Sequence, residues 1–166
     1  LINETVANEW NYFDWAEVTM AGEKVIVSRT GFTNELGWEI YFRPENNAEK
    51  LGDLILNEGS KMGMIITATP SFRGRRIEAG LLSAGQDFTN DTNPFTVGLG
   101  RFVDLEKEDF IGKKALKNAD KTCRSWGIRV VDGIAKKGRS IRLNDQLIGN
   151  ITSSTWSPYQ VCGVGI

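Results

Sequence analysis

The chain reads Ser-Arg-Thr-Gly-Phe-Thr-Asn-Glu-Leu-Gly-Trp-Glu-Ile-Tyr-Phe-Arg from residue 28 to residue 43. This pattern predicts a glycine-rich turn that opens directly into a strand over residues 37–43, in which successive side chains point to opposite faces. One face is expected to pack on a core and carries the apolar residues Trp38, Ile40 and Phe42. The opposite face carries the polar residues Glu39, Tyr41 and Arg43.

The polar face of this strand has two interpretations. It is either an ordinary solvated strand face or a ligand site. A carboxylate can accept paired N–H groups from a flat heterocycle whose ring packs on a neighbouring aromatic side chain, and the glycines of the turn would let a ligand approach the backbone closely. Taken alone, the stretch favours the solvated face, so the choice depends on the rest of the chain.

Composition limits the chemistry open to this chain. Its 166 residues, 40% hydrophobic and 25% charged, are typical of a soluble globular protein, and no apolar run approaches the ~20 residues of a membrane span. Histidine is absent, which excludes Ser-His and Cys-His catalysis within the chain and the commonest zinc sites. We expect no metal. Cys123 and Cys162 are expected to be reduced, buried thiols in a cytoplasmic protein; a disulfide between them is the alternative.

The two ends of the sequence suggest a fragment of a longer protein. The first residues have neither a Met nor the charged and apolar regions of a signal peptide. The last residues stop inside a predicted strand. We therefore expect further chain on both sides.

Charge is distributed unevenly along the chain. Residues 1–110 hold 18 acidic and 10 basic residues, whereas residues 111–142 hold 10 basic residues and only two acidic ones. A basic stretch can bind nucleic acid, but Trp126 is the one aromatic residue here that could stack on bases. We expect solvated surface and no nucleic-acid partner, with attraction of an anionic ligand tail as the functional alternative.

The order of predicted elements is that of an α+β protein. Asn47 is expected to cap a helix over residues 48–58, and Gly80 is expected to end a second helix that starts at residue 70 or 71. A loop-rich region over 81–108 precedes a short basic helix over 112–119, and Asn144-Asp145 is a candidate hairpin turn. The predicted strands cover residues 13–20, 23–29, 37–43, 64–66, 126–131, 140–143, 147–152 and 161–165.

Several blocks of sequence follow one another in a recognisable order. Asp87 stands among the blocks Arg76-Ile-Glu-Ala-Gly80, Asn93-Pro-Phe-Thr-Val-Gly-Leu-Gly100, Val103-Asp104, Asp109-Phe-Ile-Gly-Lys-Lys-Ala-Leu116 and Gly149-Asn-Ile-Thr-Ser-Ser-Thr-Trp-Ser-Pro158. In this order and at these distances they resemble the folate-dependent aminomethyltransferase family. That family includes the glycine cleavage T-protein, the dimethylsulfoniopropionate demethylases and the C-terminal domains of sarcosine and dimethylglycine dehydrogenases. The resemblance covers about residues 23–166.

The resemblance implies a fold and a cofactor. Residues 1–110 would be part of a ferredoxin-like folate-binding domain, and residues 111–166 would be an incomplete, small C-terminal β-barrel. Tetrahydrofolate would accept a methyl or aminomethyl group from a small-molecule donor, without nucleic-acid or membrane partners. The basic stretch would then attract the glutamates of the folate.

The resemblance also implies site residues. The turn at residues 28–43 would supply the glutamate that holds the pterin edge, either Glu39 or Glu35. We favour Glu39, with Tyr41 one strand step away, because a strand positions a ligand more rigidly than a turn. Arg76 would lie near the folate carboxylates or pair with Glu78. The remaining candidates are Phe32 in the substrate wall and Trp156 over the folate, and both could equally be core aromatics.

The reaction type is open among several members of the family. The sequence around Trp38 and Arg76 resembles most closely the members of the family that demethylate dimethylsulfoniopropionate, so we favour this reaction. Phe72 stands where T-proteins carry an arginine, which argues against a plain T-protein. The alternatives are an aminomethyltransferase of the T-protein type, the folate domain of a sarcosine or dimethylglycine dehydrogenase, and a folate-binding regulator without enzymatic activity.

Overall fold

The first part of the molecule is a three-stranded antiparallel sheet. The computed structural model describes residues 10–166. Strands β1 (Trp15–Met20), β2 (Glu23–Ser28) and β3 (Glu39–Tyr41) lie in the order β1-β2-β3. Ala21 and Gly22 have φ angles of 53° and 81°, as a two-residue hairpin turn between twisted strands requires. All three strands lie within their predicted ranges.

One face of this sheet packs against helix α1 (Ala48–Lys61). The buried side chains come from alternate positions of β1 and β2 and from the helix: Val18, Met20, Val25, Val27 and Leu51. Ile40 of β3 packs on this cluster, as its predicted face requires, whereas Trp38 and Phe42 stay partly exposed. Trp38 precedes the strand and meets the ring of Trp10 edge-on at 5.3 Å between centroids.

Both ends of α1 are fixed by hydrogen bonds that its sequence explains. The Asn47 side chain accepts the N–H of Lys50 at 3.0 Å, as predicted for an N-cap. At the other end Gly63 has φ +79°, and the N–H of Met64 donates to the carbonyl of Gly59 at 2.9 Å. This is a Schellman ending. The predicted strand at 64–66 is wrong: Met64 completes the helix end, and Ile65 and Ile66 are exposed.

Helix α2 (Thr69–Glu78) and helix α3 (Lys113–Lys117) lie close to their predicted ranges. Gly80, with φ +73°, ends α2 as expected, since its N–H donates to the carbonyl of Ile77. The region between the two helices is mainly loop and contains one short 3-10 helix over Gly100–Phe102. The predicted loop-rich region is therefore confirmed.

The remaining strands form two further sheets. Strands β4 (Ile128–Val130), β7 (Ser154–Ser157) and β8 (Cys162–Gly165) pair in the order β4-β8-β7, and β5 (Ser140–Leu143) pairs with β6 (Gln146–Asn150). Asn144 and Asp145 have φ angles of 47° and 64°, which confirms the predicted hairpin turn. Strand β7 was not predicted. The α+β class is confirmed, and the described strands do not close into a barrel.

The chain divides into two compact units, Leu1–Phe72 and Arg73–Ile166. The first has the core described above. The second has a smaller core of Ile77, Leu82, Cys162, Val164 and Ile166. This division falls within α2, whereas the predicted boundary between family domains, at residues 110 and 111, stays a prediction.

Candidate functional site

The polar residues of the opening stretch lie together on the sheet face that points away from α1. Ser28 is directly opposite Glu39, and Ile26 is opposite Tyr41. Directly opposed residues of an antiparallel pair project to the same side, so these four side chains share one face. The sequence predicted this face from the alternation of residues 37–43.

Glu39 is the centre of a small hydrogen-bond network on this face. Its Oε2 atom accepts the hydroxyl of Thr30 and, at 3.0 Å, the hydroxyl of Tyr41. Because Thr30 uses its single proton on Glu39, the hydroxyl of Ser28 donates to Thr30, with 2.6 Å between the oxygens. Oε2 therefore has both of its acceptor positions filled, while no described residue donates to Oε1. The roles of Thr30 and Ser28 were missed because they depend on the pairing of β2 with β3, which alternation within one strand does not give.

The turn between β2 and β3 is held from several sides. The guanidinium of Arg29 donates to the carbonyl of Gly37 at 3.2 Å and lies 5.5 Å from the centroid of the Trp38 ring. The hydroxyl of Tyr12 donates to the carbonyl of Gly31 at 3.2 Å. Glu35 is exposed in this turn. The turn thus presents an acidic side chain from a braced backbone.

Phe32 lies at the start of the same turn and is half-buried. Its ring packs against that of Phe72, with centroids 5.6 Å apart. Phe72 itself is partly exposed. The two rings form an apolar wall, which is compatible with both predicted roles of Phe32, the substrate wall and the anchoring aromatic.

Arg76 is placed in the interior of the second unit. Its side chain is 2% exposed and donates to Asp87 at 2.7 Å, to the carbonyl of Leu81 at 2.8 Å and to the hydroxyl of Ser153 at 2.9 Å. The predicted alternative pairing with Glu78 is wrong, because Glu78 pairs with Arg75 at 2.5 Å. The terminal nitrogens of Arg76 are thus committed to internal partners.

Asp87 is the counter-charge of Arg76 and has no exposed side-chain surface. Burial alone would raise the pKa of this carboxyl. Hydrogen bonds from Ser153, Thr152 and the N–H of Ser83, together with Arg76, outweigh the burial and hold the pKa below its usual value. Asp87 therefore stays ionised and joins α2, the loop after it and residues 152–153.

Trp156 belongs to β7, opposite Gly163 of β8, and its side chain is partly exposed. It lies in the second unit, as Arg76 does, whereas Glu35, Glu39 and Tyr41 lie in the first. Both cysteines are free, Cys123 exposed and Cys162 buried. The prediction of reduced, buried thiols is therefore confirmed for Cys162. For Cys123 it is wrong about burial, because this free thiol is exposed.

The part of the chain that the structure describes holds neither a cluster of metal-ligating side chains nor a membrane-spanning helix. Within residues 10–166, no group of three or more His, Cys, Asp or Glu side chains could hold a metal ion. In the same part of the chain, no helix has the length and apolar character needed to cross a membrane.

Comparison with known families identifies the family of this chain. The family model described as the GCVT N-terminal domain matches residues 2–107. The chain belongs to this family. The predicted resemblance to aminomethyltransferases is therefore confirmed at the level of the family.

Individual relatives agree with this assignment. Proteins named aminomethyltransferase from Halothermothrix orenii and Thermotoga sp. are 33% and 38% identical to it over 159 and 162 residues. A crystal structure of glycine cleavage system aminomethyltransferase T from Bartonella henselae superposes with a TM-score of 0.77, at 26% identity, over 96% of the chain. The chain spans only 43–44% of the length of these proteins.

Proposed function

We propose that this chain is part of a tetrahydrofolate-dependent one-carbon transferase that acts on an aminomethyl donor. The observation that carries the proposal is the polar sheet face beside a braced, glycine-rich turn in a member of the GCVT N-terminal domain family. The relatives from Halothermothrix orenii and Thermotoga sp. are named aminomethyltransferases, which supports this donor. A cytoplasmic location is part of the same proposal.

Demethylation of dimethylsulfoniopropionate, the reaction that the sequence favoured, is the second candidate. The names of the relatives support the aminomethyl alternative better. One observation still favours demethylation: Phe72, which replaces the arginine of T-proteins, packs on Phe32 and makes that wall apolar. A methylated sulfonium group would suit such a wall.

The residues of the first unit fit a folate. Tetrahydrofolate, when bound, supplies the nitrogen that accepts the one-carbon unit. A carboxylate can accept paired N–H groups from a pterin edge. Thr30 and Tyr41 donate to Oε2 of Glu39 and so order its side chain, and no described residue donates to its Oε1 atom. We therefore keep Glu39 as the first candidate for the pterin edge, with Glu35 in the adjoining turn as the alternative.

The chain's own residues would act by positioning. The absence of histidine leaves no imidazole in this chain for proton transfer, so the proposed task is to hold the reacting groups in line and exclude water. Trp156 remains a candidate for contact with the folate. Arg76 is left out of the proposed site, because its terminal nitrogens already serve internal partners.

Folate affinity of matched variants tests this assignment. Titration calorimetry with tetrahydrofolate under anaerobic conditions would compare Glu35→Gln, Glu39→Gln and, as a control, the exposed Glu45→Gln. We expect Glu39→Gln to weaken binding about tenfold or more, Glu35→Gln to weaken it less, and Glu45→Gln to leave it unchanged. Unchanged affinity in both site variants would reject the site, and a larger loss in Glu35→Gln would move the pterin edge to Glu35.

A further inference from the structure

Arg29 is the first residue of the turn between β2 and β3, and hydrogen bonds to the chain before β1 fix its backbone. Its N–H donates to the carbonyl of Asp14 at 2.8 Å, and its carbonyl accepts the N–H of Phe13 at 3.1 Å. Trp15 and Ser28 are the neighbouring regular pair of β1 and β2. The two bonds therefore extend this pairing by one step, and the turn starts from a fixed position.

Phe13 and Asp14 form a β-bulge opposite Arg29. Two residues on one side oppose a single residue on the other, and the first of them, Phe13, has a φ angle of 76°. This is the pattern of a G1 bulge, whose first residue is normally glycine. A phenylalanine in this conformation is strained. Because bulges and strained backbone are frequent beside functional sites, the residue that this bulge holds is a candidate for a functional role.

The side chain of Arg29 reaches from the start of the turn to its end. Its guanidinium donates to the carbonyl of Gly37 at 3.2 Å and lies 5.5 Å from the centroid of the Trp38 ring. Trp38 is the last residue before β3, and its ring meets that of Trp10, which packs against the core of the first unit. Arg29 therefore closes the turn at its base.

The charge of Arg29 serves the turn itself. Among the described residues, the partners of the guanidinium are the carbonyl of Gly37 and the ring of Trp38, and no carboxylate forms an ion pair with it. A charged donor makes a stronger hydrogen bond to a carbonyl than a neutral one does, and a guanidinium also lies favourably over an aromatic ring. The positive charge thus strengthens both contacts that close the turn.

Closure of the turn determines where Glu39 lies relative to Thr30. Thr30 directly follows Arg29 and donates to Oε2 of Glu39, whereas Gly37 stands two residues before Glu39. A Cβ added at Gly37 would lie 3.6 Å from the carbonyl oxygen of Thr30, so the two sides of the turn approach each other closely at this level. Arg29 holds both sides, through its peptide bond to Thr30 and its hydrogen bond to Gly37.

We propose that Arg29 is a positioning residue for the folate, which closes the turn and thereby holds Glu39 in the orientation that accepts the pterin edge. The inference rests on the proposed function, in which Glu39 is the first candidate for that edge. Arg29 does not contact the ligand in this account. Its effect on folate binding therefore passes through Glu39, and this dependence can be measured.

Folate affinity of Arg29 variants provides the first test. In anaerobic titration calorimetry with tetrahydrofolate, we expect Arg29→Met to bind at least about fivefold more weakly than the unmodified protein. Arg29→Lys keeps a cation that can donate to the carbonyl of Gly37, so it should bind more tightly than Arg29→Met. Lys24→Met removes an exposed cation from β2 at a distance from the turn and should leave affinity unchanged. Equal affinity in Arg29→Met and the unmodified protein would overturn the inference.

A double-mutant cycle tests whether Arg29 acts through Glu39. If it does, the loss caused by Arg29→Met disappears once Glu39 is replaced, and Arg29→Met/Glu39→Gln binds tetrahydrofolate within about twofold of Glu39→Gln alone. Losses that simply add would overturn the inference. Unchanged affinity in Glu39→Gln would reject the proposed site and the inference with it, whereas a loss in Glu39→Gln without one in Arg29→Met would overturn the inference alone.

Steady-state kinetics separate positioning from general damage to the fold. In the active protein, Arg29→Met is expected to raise KM for tetrahydrofolate and to leave KM for the one-carbon donor unchanged. Partial unfolding would reduce the number of active molecules, and so lower the apparent kcat without a change in KM. A loss confined to kcat would mean that Arg29 only stabilises the fold, which overturns the inference. Because KM reports on the folded molecules alone, the test holds even if Arg29→Met is partly unfolded.

Discussion

Replacement of Asp87 by Asn tests whether the buried ion pair with Arg76 holds the second unit together. Asn has nearly the shape of Asp but no charge, so Arg76, which is 2% exposed, would lose its only ionic partner among the described residues. The amide that replaces the carboxylate at position 87 would also face hydrogen-bond donors. Oδ1 of Asp87 accepts the hydroxyl of Thr152, and Oδ2 accepts both Arg76 and the N–H of Ser83. An NH₂ group at the Oδ2 position would face the donors Arg76 and Ser83. At the Oδ1 position it could donate to the hydroxyl of Thr152, whose proton can turn to the carbonyl of Ile166 at 3.1 Å, so the lost charge is the main effect.

The size of the effect follows from this geometry. Removing one partner of a buried ion pair costs about 3–5 kcal/mol, because the other charge stays buried without compensation. That is a large share of the roughly 5–15 kcal/mol by which a domain is stable. We therefore expect Asp87→Asn to lower the free energy of unfolding of the second unit by about 3–5 kcal/mol.

Urea unfolding followed by circular dichroism measures this loss. The double variant Arg76→Met/Asp87→Leu, which removes both charges, is expected to lose much less than Asp87→Asn alone. Glu58→Gln, which breaks the exposed pair of Glu58 with Lys61, is the control and should leave stability unchanged. A loss below about 1 kcal/mol in Asp87→Asn would refute the reasoning.

The remaining predictions concern acid stability, a helix cap and a tight contact. Because folding lowers the pKa of Asp87, its contribution to the free energy of unfolding is complete above the unfolded pKa of about 3.9 and is lost as the pH falls through the lower folded pKa. Stability measured by unfolding at a series of acidic pH values should therefore fall more steeply below pH ~4 in the unmodified protein than in Asp87→Asn. Equal slopes in the two proteins would contradict this. Asn47→Ala should lower stability by about 1 kcal/mol in thermal unfolding, whereas Asn47→Asp keeps the acceptor and should not. Gly163→Ala should lower the free energy of unfolding by about 1–3 kcal/mol, because a Cβ at this position overlaps the carbonyl oxygen of Gly133. The control Gly149→Ala, where the nearest atom lies 4.0 Å from the added Cβ, should leave it unchanged. Equal stability of the two variants in urea unfolding would contradict the contact.

The local features of the fold could be predicted because their signals are local. The alternation after Gly37 fixed which side chains of β3 face the core, and Asn47 marked the start of α1 at a single residue. Residues 64–66 look like a strand by β-branched content, but the sequence does not show that the N–H of Met64 closes the preceding helix. Short apolar runs are decided by such context.

The candidate site was only partly predictable, because part of it depends on pairing between distant residues. Glu39 and Tyr41 are two residues apart and share a face, which alternation gives directly. Ser28 joins them only through the register of β2 with β3, which no sequence spacing specifies. The partners of Arg76 lie 11 and 77 residues away, so its burial could not be read from the helix alone.

The product of the folate reaction tests the central claim most directly. The active protein would be incubated with tetrahydrofolate and, in separate reactions, an aminomethyl donor or dimethylsulfoniopropionate, and the folate products would be separated by chromatography. We predict 5,10-methylene-tetrahydrofolate from the aminomethyl donor and no 5-methyl-tetrahydrofolate from dimethylsulfoniopropionate. Formation of 5-methyl-tetrahydrofolate from dimethylsulfoniopropionate, without turnover of the aminomethyl donor, would contradict the proposal and establish the demethylase instead.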